Sequence, residues 1–153
     1  MPKQHKSSYI NKDAVKTNTE TTYINKTATH LIGTNENGDD LKLIISFLHL
    51  QNGYQCFSDW SKQDMNDFWN FYKKVHQYTW TQVYATARKI QKNGIAYTII
   101  PVKKYPNPEF KNKLSQDITL FELRVDAKKR VHGFRNKSVF YLCWLDREHK
   151  ITH

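Results

Sequence analysis

Most signatures of the common nucleotide-binding and hydrolytic enzymes are missing from this chain. Its five glycines are scattered singly. It therefore has no P-loop, no GxGxxG turn and no GxSxG elbow, and no HExxH occurs either. These absences argue against the common nucleotide-binding, hydrolase and zinc-protease classes. Cysteine is scarce: Cys56 and Cys143 lie far apart and in no CxxC, which favours buried reduced thiols over a disulfide or metal pair. The most apolar run, 41–50, is too short to span a bilayer and contains Lys42 and His49. The opening MPKQHKSSYI lacks the apolar core of a signal peptide. A cytoplasmic protein with no membrane partner is the expectation.

Acidic residues are outnumbered, 14 against 24 Lys and Arg, for a formal net charge of +10. The excess is uneven. Residues 1–40 hold five of each sign, 41–102 seven basic against three acidic, and 103–153 twelve against six. A basic surface on a small domain favours polyanions, most often nucleic acid. The plainer reading is a charge that only keeps the chain in solution. At 153 residues a single domain with a real core is expected.

Residues 1–38 are rich in Lys, Asn, Thr and Ser and read as a flexible or loosely packed N-terminal extension. Short strands at 21–24 or 29–32 are conceivable within it. The remaining residues, 39–153, read as one α+β domain. Stretch 41–50 reads as a buried strand, Asn52-Gly53 as a turn, and 54–57 as a short returning strand. A helix should begin at Ser61, with Asp64 in a capping box. Met65, Phe68, Trp69, Tyr72 and Val75 or His76 then form an apolar face, read as core rather than as a base-stacking platform. A second helix should begin at Thr79, with Gln82 three residues on, continue through Trp80, Val83, Tyr84, Ala87 and Ile90, and end at Asn93-Gly94. The short connection predicts a helix hairpin packed on a sheet. Stretch 95–102 is a further strand or extended segment, and 103–117, with Pro106 and Pro108, a loop. Its lysines, Lys103, Lys104, Lys111 and Lys113, either touch a phosphate backbone or are simply solvated.

Most of the suggestive chemistry lies in 120–149. Runs 120–125, 130–135 and 139–145 are rich in β-branched and aromatic residues and separated by polar turns, which predicts a three-stranded antiparallel meander. Alternation puts Glu122 and Arg124 on one face of the first strand, and Arg130 and His132 on one face of the second. His149 follows the third. Lys128, Lys129 and Lys137 add positive charge at the turns. Asp146 and His149 alone are a weak metal signal, so neither a metal nor any other cofactor is expected.

The order strand, helix hairpin, meander, and the motif ELRV…RVHGFR…VFYLCWLDREHK, resemble the RelE/ParE superfamily of bacterial toxins. At residue level the resemblance covers about 120–149. It implies a small antiparallel sheet, the meander plus an earlier strand, with a helix hairpin on one face. It also implies an endoribonuclease of a toxin–antitoxin pair, cutting messenger RNA in the ribosomal decoding site and restrained by a cognate antitoxin. This chain departs from the compact pattern in its N-terminal extension, in the insertion at 94–117 and in its charged C-terminus.

A metal-free cut uses the substrate 2′-hydroxyl as nucleophile on the neighbouring phosphorus. It needs a base for that proton, cations for the phosphoryl oxygens and an acid for the 5′-oxygen. The resemblance implies Arg124, with Arg130 or Arg135, as the phosphate-holding arginines. It implies His149 as the acid, leaving Glu122 or His132 as the base. The lysines at 103, 104, 111, 113, 128, 129 and 137 would bind RNA. The alternatives are cross-strand ion pairs on a solvated face, or a non-enzymatic basic binding protein, including a ParE-like topoisomerase poison.

Overall fold

The computed structural model describes residues 38–87 and 94–153. The expected strands at 21–24 and 29–32, and the helical positions at Ile90 and Asn93, lie outside those residues. The fold is α+β. Its sheet has five strands, β1 (Ile44–Ser46), β2 (Thr98–Ile99), β3 (Phe121–Arg124), β4 (Arg130–Asn136) and β5 (Val139–Asp146), in the order β1-β5-β4-β3-β2. The meander falls where alternation predicted it, with Glu122 opposite His132 and Arg124 opposite Arg130.

The sheet is mixed rather than antiparallel throughout, because β1 runs parallel to β5. β1 is also shorter than the apolar run that suggested it. Leu43 and Ile45 are buried, but Phe47 and Leu48 are exposed. No returning strand forms at 54–57; the chain makes a 3₁₀ turn at Phe57–Asp59 instead.

Two helices cover one face, α1 (Lys62–Val75) and α2 (Trp80–Ala85). Both start in capping boxes. Ser61 Oγ accepts from Asp64 N while the Asp64 carboxylate accepts from Ser61 N, and Thr79 and Gln82 repeat the arrangement. Each satisfies N–H groups that the first turn would otherwise leave unpaired. Phe68, Phe71, Val75, Trp80 and Val83 pack with Leu43, Phe121, Leu123, Val131, Leu142 and Leu145 into the main core. Met65, Trp69 and Tyr84, expected in that core, are exposed.

The opposite face carries a second, smaller core. Residues 103–117 are not an open loop: after a 3₁₀ turn at Val102–Lys104 they form α3 (Pro108–Lys113). The segment lays Tyr105 and Phe110 over Trp144, with Ile151 beside them. A register shift between His132 and Gly133 leaves Cys143 without a β4 partner. That extra residue sends Cys143 and Trp144 together to the second face, while Leu142 and Leu145 stay in the main core. Gly133 is required at this point, since an added Cβ would lie 1.8 Å from the Tyr141 carbonyl oxygen.

Candidate functional site

The second face gathers charged and titratable side chains under the edge of the Tyr105 segment. Glu122 is central. Its Oε1 lies 3.8 Å from Arg130 Nε, and its Oε2 lies 3.6 Å from His149 Nε2 and 3.8 Å from His132 Nε2. Sheet register brings this about, because cross-strand partners share a face. Arg130 stands opposite Asp146 and His132 opposite Trp144. Arg124, Arg130 and His149 thus come from β3, β4 and the turn after β5, and the latter two converge on one carboxylate.

His132 is fully buried and both ring nitrogens are engaged, Nδ1 with the Tyr105 hydroxyl at 3.0 Å and Nε2 with Asp146 Oδ2 at 3.1 Å. The base role considered for it therefore requires an access that the structure does not give. Asp146 is equally buried and also accepts from the backbone N–H of Lys150 and Ile151. Burial opposes its ionisation, but the hydrogen bonds from His132 and the two amides prevail and hold its carboxyl below the ordinary range. Burial, and then the nearby negative charge of Glu122, push the Tyr105 phenol well up. This tyrosine stays neutral.

Asp146 also builds the turn that carries His149. Its carbonyl accepts from His149 N, and its carboxylate ties down the next two amides. His149 itself sits at φ +56°, a left-handed conformation that costs a non-glycine residue free energy and tends to mark functional sites. Its Nε2 and Glu122 Oε2 are buried and face each other, yet neither has a hydrogen-bond partner. Burial first, then the positive charge of Arg130, lowers the His149 pKa, with Glu122 opposing. The imidazole is therefore neutral at neutral pH, which suits a base better than the acid role that the resemblance implied.

Arg124 and Arg130 pair directly across β3 and β4, and like charges so placed repel. Burial is the largest influence on Arg130, and it lowers the pKa; the Arg124 charge lowers it further, against the pull of Glu122. Both arginines line a cleft of about 380 Å³ with Phe71, Lys74, Gly94 and Asp126. Arg130 joins this cleft to the Glu122–His149 pair. A bound anion there would relieve the repulsion.

Other expected residues lie elsewhere. Arg135 is on the helix face, over the Trp80 ring at 4.5 Å, donating to Tyr84 Oη and paired with Asp39. Its odd number sets it opposite Arg130 and His132 by simple alternation. Lys129 is buried among Asp64, Asp67 and Asp126, at 3.2, 3.0 and 2.8 Å. It is thus committed to joining the β3–β4 turn to α1. Lys111 donates to the Tyr105 carbonyl at 2.6 Å. Lys103, Lys104, Lys113, Lys128 and Lys137 are exposed but spread over several edges. The sequence reading passed over Tyr105, Lys74 and the anchoring role of Asp146. Asp146 was hidden by the bulge, since plain alternation along β5 would put it on the face of Phe140 and Leu142 rather than beside His132. Tyr105 carries no local signal beyond being aromatic in a charged stretch.

No family model matches the chain, and no curated protein or solved structure matches it either. Among the described residues no group of three or more His, Cys, Asp or Glu is arranged to hold a metal ion, and no helix is long and apolar enough to cross a membrane.

Proposed function

We propose that the protein is an RNA endonuclease that cleaves by attack of the substrate 2′-hydroxyl, as a toxin of a toxin–antitoxin pair. The observation that carries this reading is the facing pair of His149 Nε2 and Glu122 Oε2, buried and unpartnered beside Arg130. Buried polar groups without partners are rare in native proteins and call for an explanation such as catalysis. Here neutral His149, its Nε2 buried against Glu122 but its side chain 20% exposed, carries its proton on Nε2 and takes the 2′-hydroxyl proton on Nδ1. The imidazolium so formed faces the Glu122 carboxylate. Arg130 and Arg124 hold the phosphoryl oxygens as charge develops on them. Solvent in the open cleft protonates the 5′-oxygen.

The messenger on the ribosome is the proposed substrate and the cytoplasm the proposed place of action. A cognate antitoxin would silence the protein by laying a segment across the basic face. The test is to express the chain alone and follow growth and messenger integrity, then repeat with Arg124→Ala and His149→Gln. Growth arrest and messenger loss that both substitutions abolish support the reading; identical behaviour of all three chains ends it. The exposed lysines support a second reading, a basic protein that binds nucleic acid without cutting it. Steeply salt-dependent binding with no cleavage products would favour that one.

A further inference from the structure

The solvent side of α1 carries a feature that this site does not use. Trp69 is 52% exposed and lies nearly parallel to Tyr72, with ring centroids 5.4 Å apart and planes 13° apart. Met65, one turn earlier, is also exposed, and the Lys73 ammonium lies 5.6 Å from the Trp69 ring. Burying such a large aromatic in the core is the usual outcome, and Phe68, Phe71 and Val75 already fill that role on the opposite stripe.

Charge is sorted across the same helix. Asp64 and Asp67, its two carboxylates, both turn to Lys129 at 3.2 and 3.0 Å. The side bearing Trp69 is left with the exposed residues Lys62, Asn66, Asn70 and Lys73. A flat aromatic surface, flanked by cations and amides and free of carboxylates, matches one class of occupant. Unstacked bases lie on aromatic rings while neighbouring ammonium groups take the phosphates. A protein partner recognised by charge would not need the ring.

We propose that exposed Trp69, with Met65 beside it and half-buried Tyr72 backing its ring, forms a stacking platform for single-stranded nucleic acid, with Lys62 and Lys73 holding its backbone. The platform lies on the helix side of the sheet, away from Glu122 and His149, and works whether or not the chain cleaves RNA.

Intrinsic fluorescence reads it directly, because the other three tryptophans are buried: Trp60 is 8% exposed, Trp80 and Trp144 0%. The full chain is titrated with a short oligothymidylate, which lacks the 2′-hydroxyl and so survives the proposed chemistry. The expected result is quenching of the Trp69 emission on binding. Trp69→Ala should weaken binding by roughly five- to 150-fold. Trp69→Phe should keep binding within a few-fold while losing the quench, and Lys73→Gln should flatten the salt slope by about 0.7. Unchanged affinity in Trp69→Ala would overturn the proposal. Equal quenching by a DNA duplex of the same length would overturn it, since paired bases cannot lie on the ring. Equal quenching by polyglutamate would do the same, showing a surface that reads charge alone.

Discussion

At the scale of single residues, the proposed cleavage turns on His149. Its side chain is held in a left-handed turn by Asp146 and faces a carboxylate without a hydrogen bond to it. Replacing His149 with Ala should lower RNA cleavage by about 10²- to 10⁴-fold, the worth of one general base. Purified protein and a labelled RNA measure it. The pH profile follows from the lowered His149 pKa. As a base it must be neutral, so the rate should hold across the neutral range. It should fall only in acid, below the ordinary imidazole value of about 6.5. An acid role would give the reverse slope. Glu122, Arg124 and Arg130 were legible in the sequence because strand alternation has period two and needs only local residues. Tyr105 was not. Its contact with His132 spans 27 positions and depends on how a proline-containing segment folds back.

At the scale of elements, caps and the bulge decide stability. Ser61→Ala removes the α1 cap and should cost about 1 kcal/mol, measured by denaturant melts. Gly133→Ala should be far worse. The clash is with backbone rather than with a flexible side chain, so β4 and β5 must part at the bulge. Little soluble folded protein is the expected outcome, read by circular dichroism. Both capping boxes could be read from the sequence, since Ser61 with Asp64 and Thr79 with Gln82 are local pairs. The bulge could not. It is a property of two strands together, and only the isolated glycine in RVHGFR hinted at it. The parallel pairing of β1 was equally hidden, because a short apolar run carries no signal of its direction. Trp69 shows a third limit. Helical periodicity grouped it with Phe68, but a helix of this width buries one stripe, and Phe68, Phe71 and Val75 occupy it.

At the scale of the molecule, two cores sandwich one sheet, and the charged cluster sits where the second core thins out towards its rim. Acid should unfold this arrangement in two stages. His76, whose ring bonds Ile45 N and the Tyr72 carbonyl, and His149 both have lowered pKa values, in each case chiefly through burial. The unfolded chain therefore takes up these protons first, and stability begins to fall as pH drops below about 6.5. Asp146 has a lowered pKa as well, because its hydrogen bonds outweigh its burial. Its contribution is present above the ordinary carboxyl value of 3.8 and is lost as pH falls through the folded one. Thermal melts across the acid range should show both stages, and His76→Gln should flatten the first.

On the proposed reading, the basic charge of the chain would draw it to RNA, and the Glu122–His149–Arg130 geometry would make the cut. Analysis of the RNA ends left by the purified wild-type chain tests this most directly, with His149→Ala and a substrate deoxygenated at the 2′ position as controls. The account predicts abundant 2′,3′-cyclic phosphate ends from wild type, about 10²- to 10⁴-fold fewer from His149→Ala, and none from the substrate lacking the 2′-hydroxyl. Cyclic ends formed as fast by His149→Ala as by wild type, or an intact RNA from wild type, would contradict it.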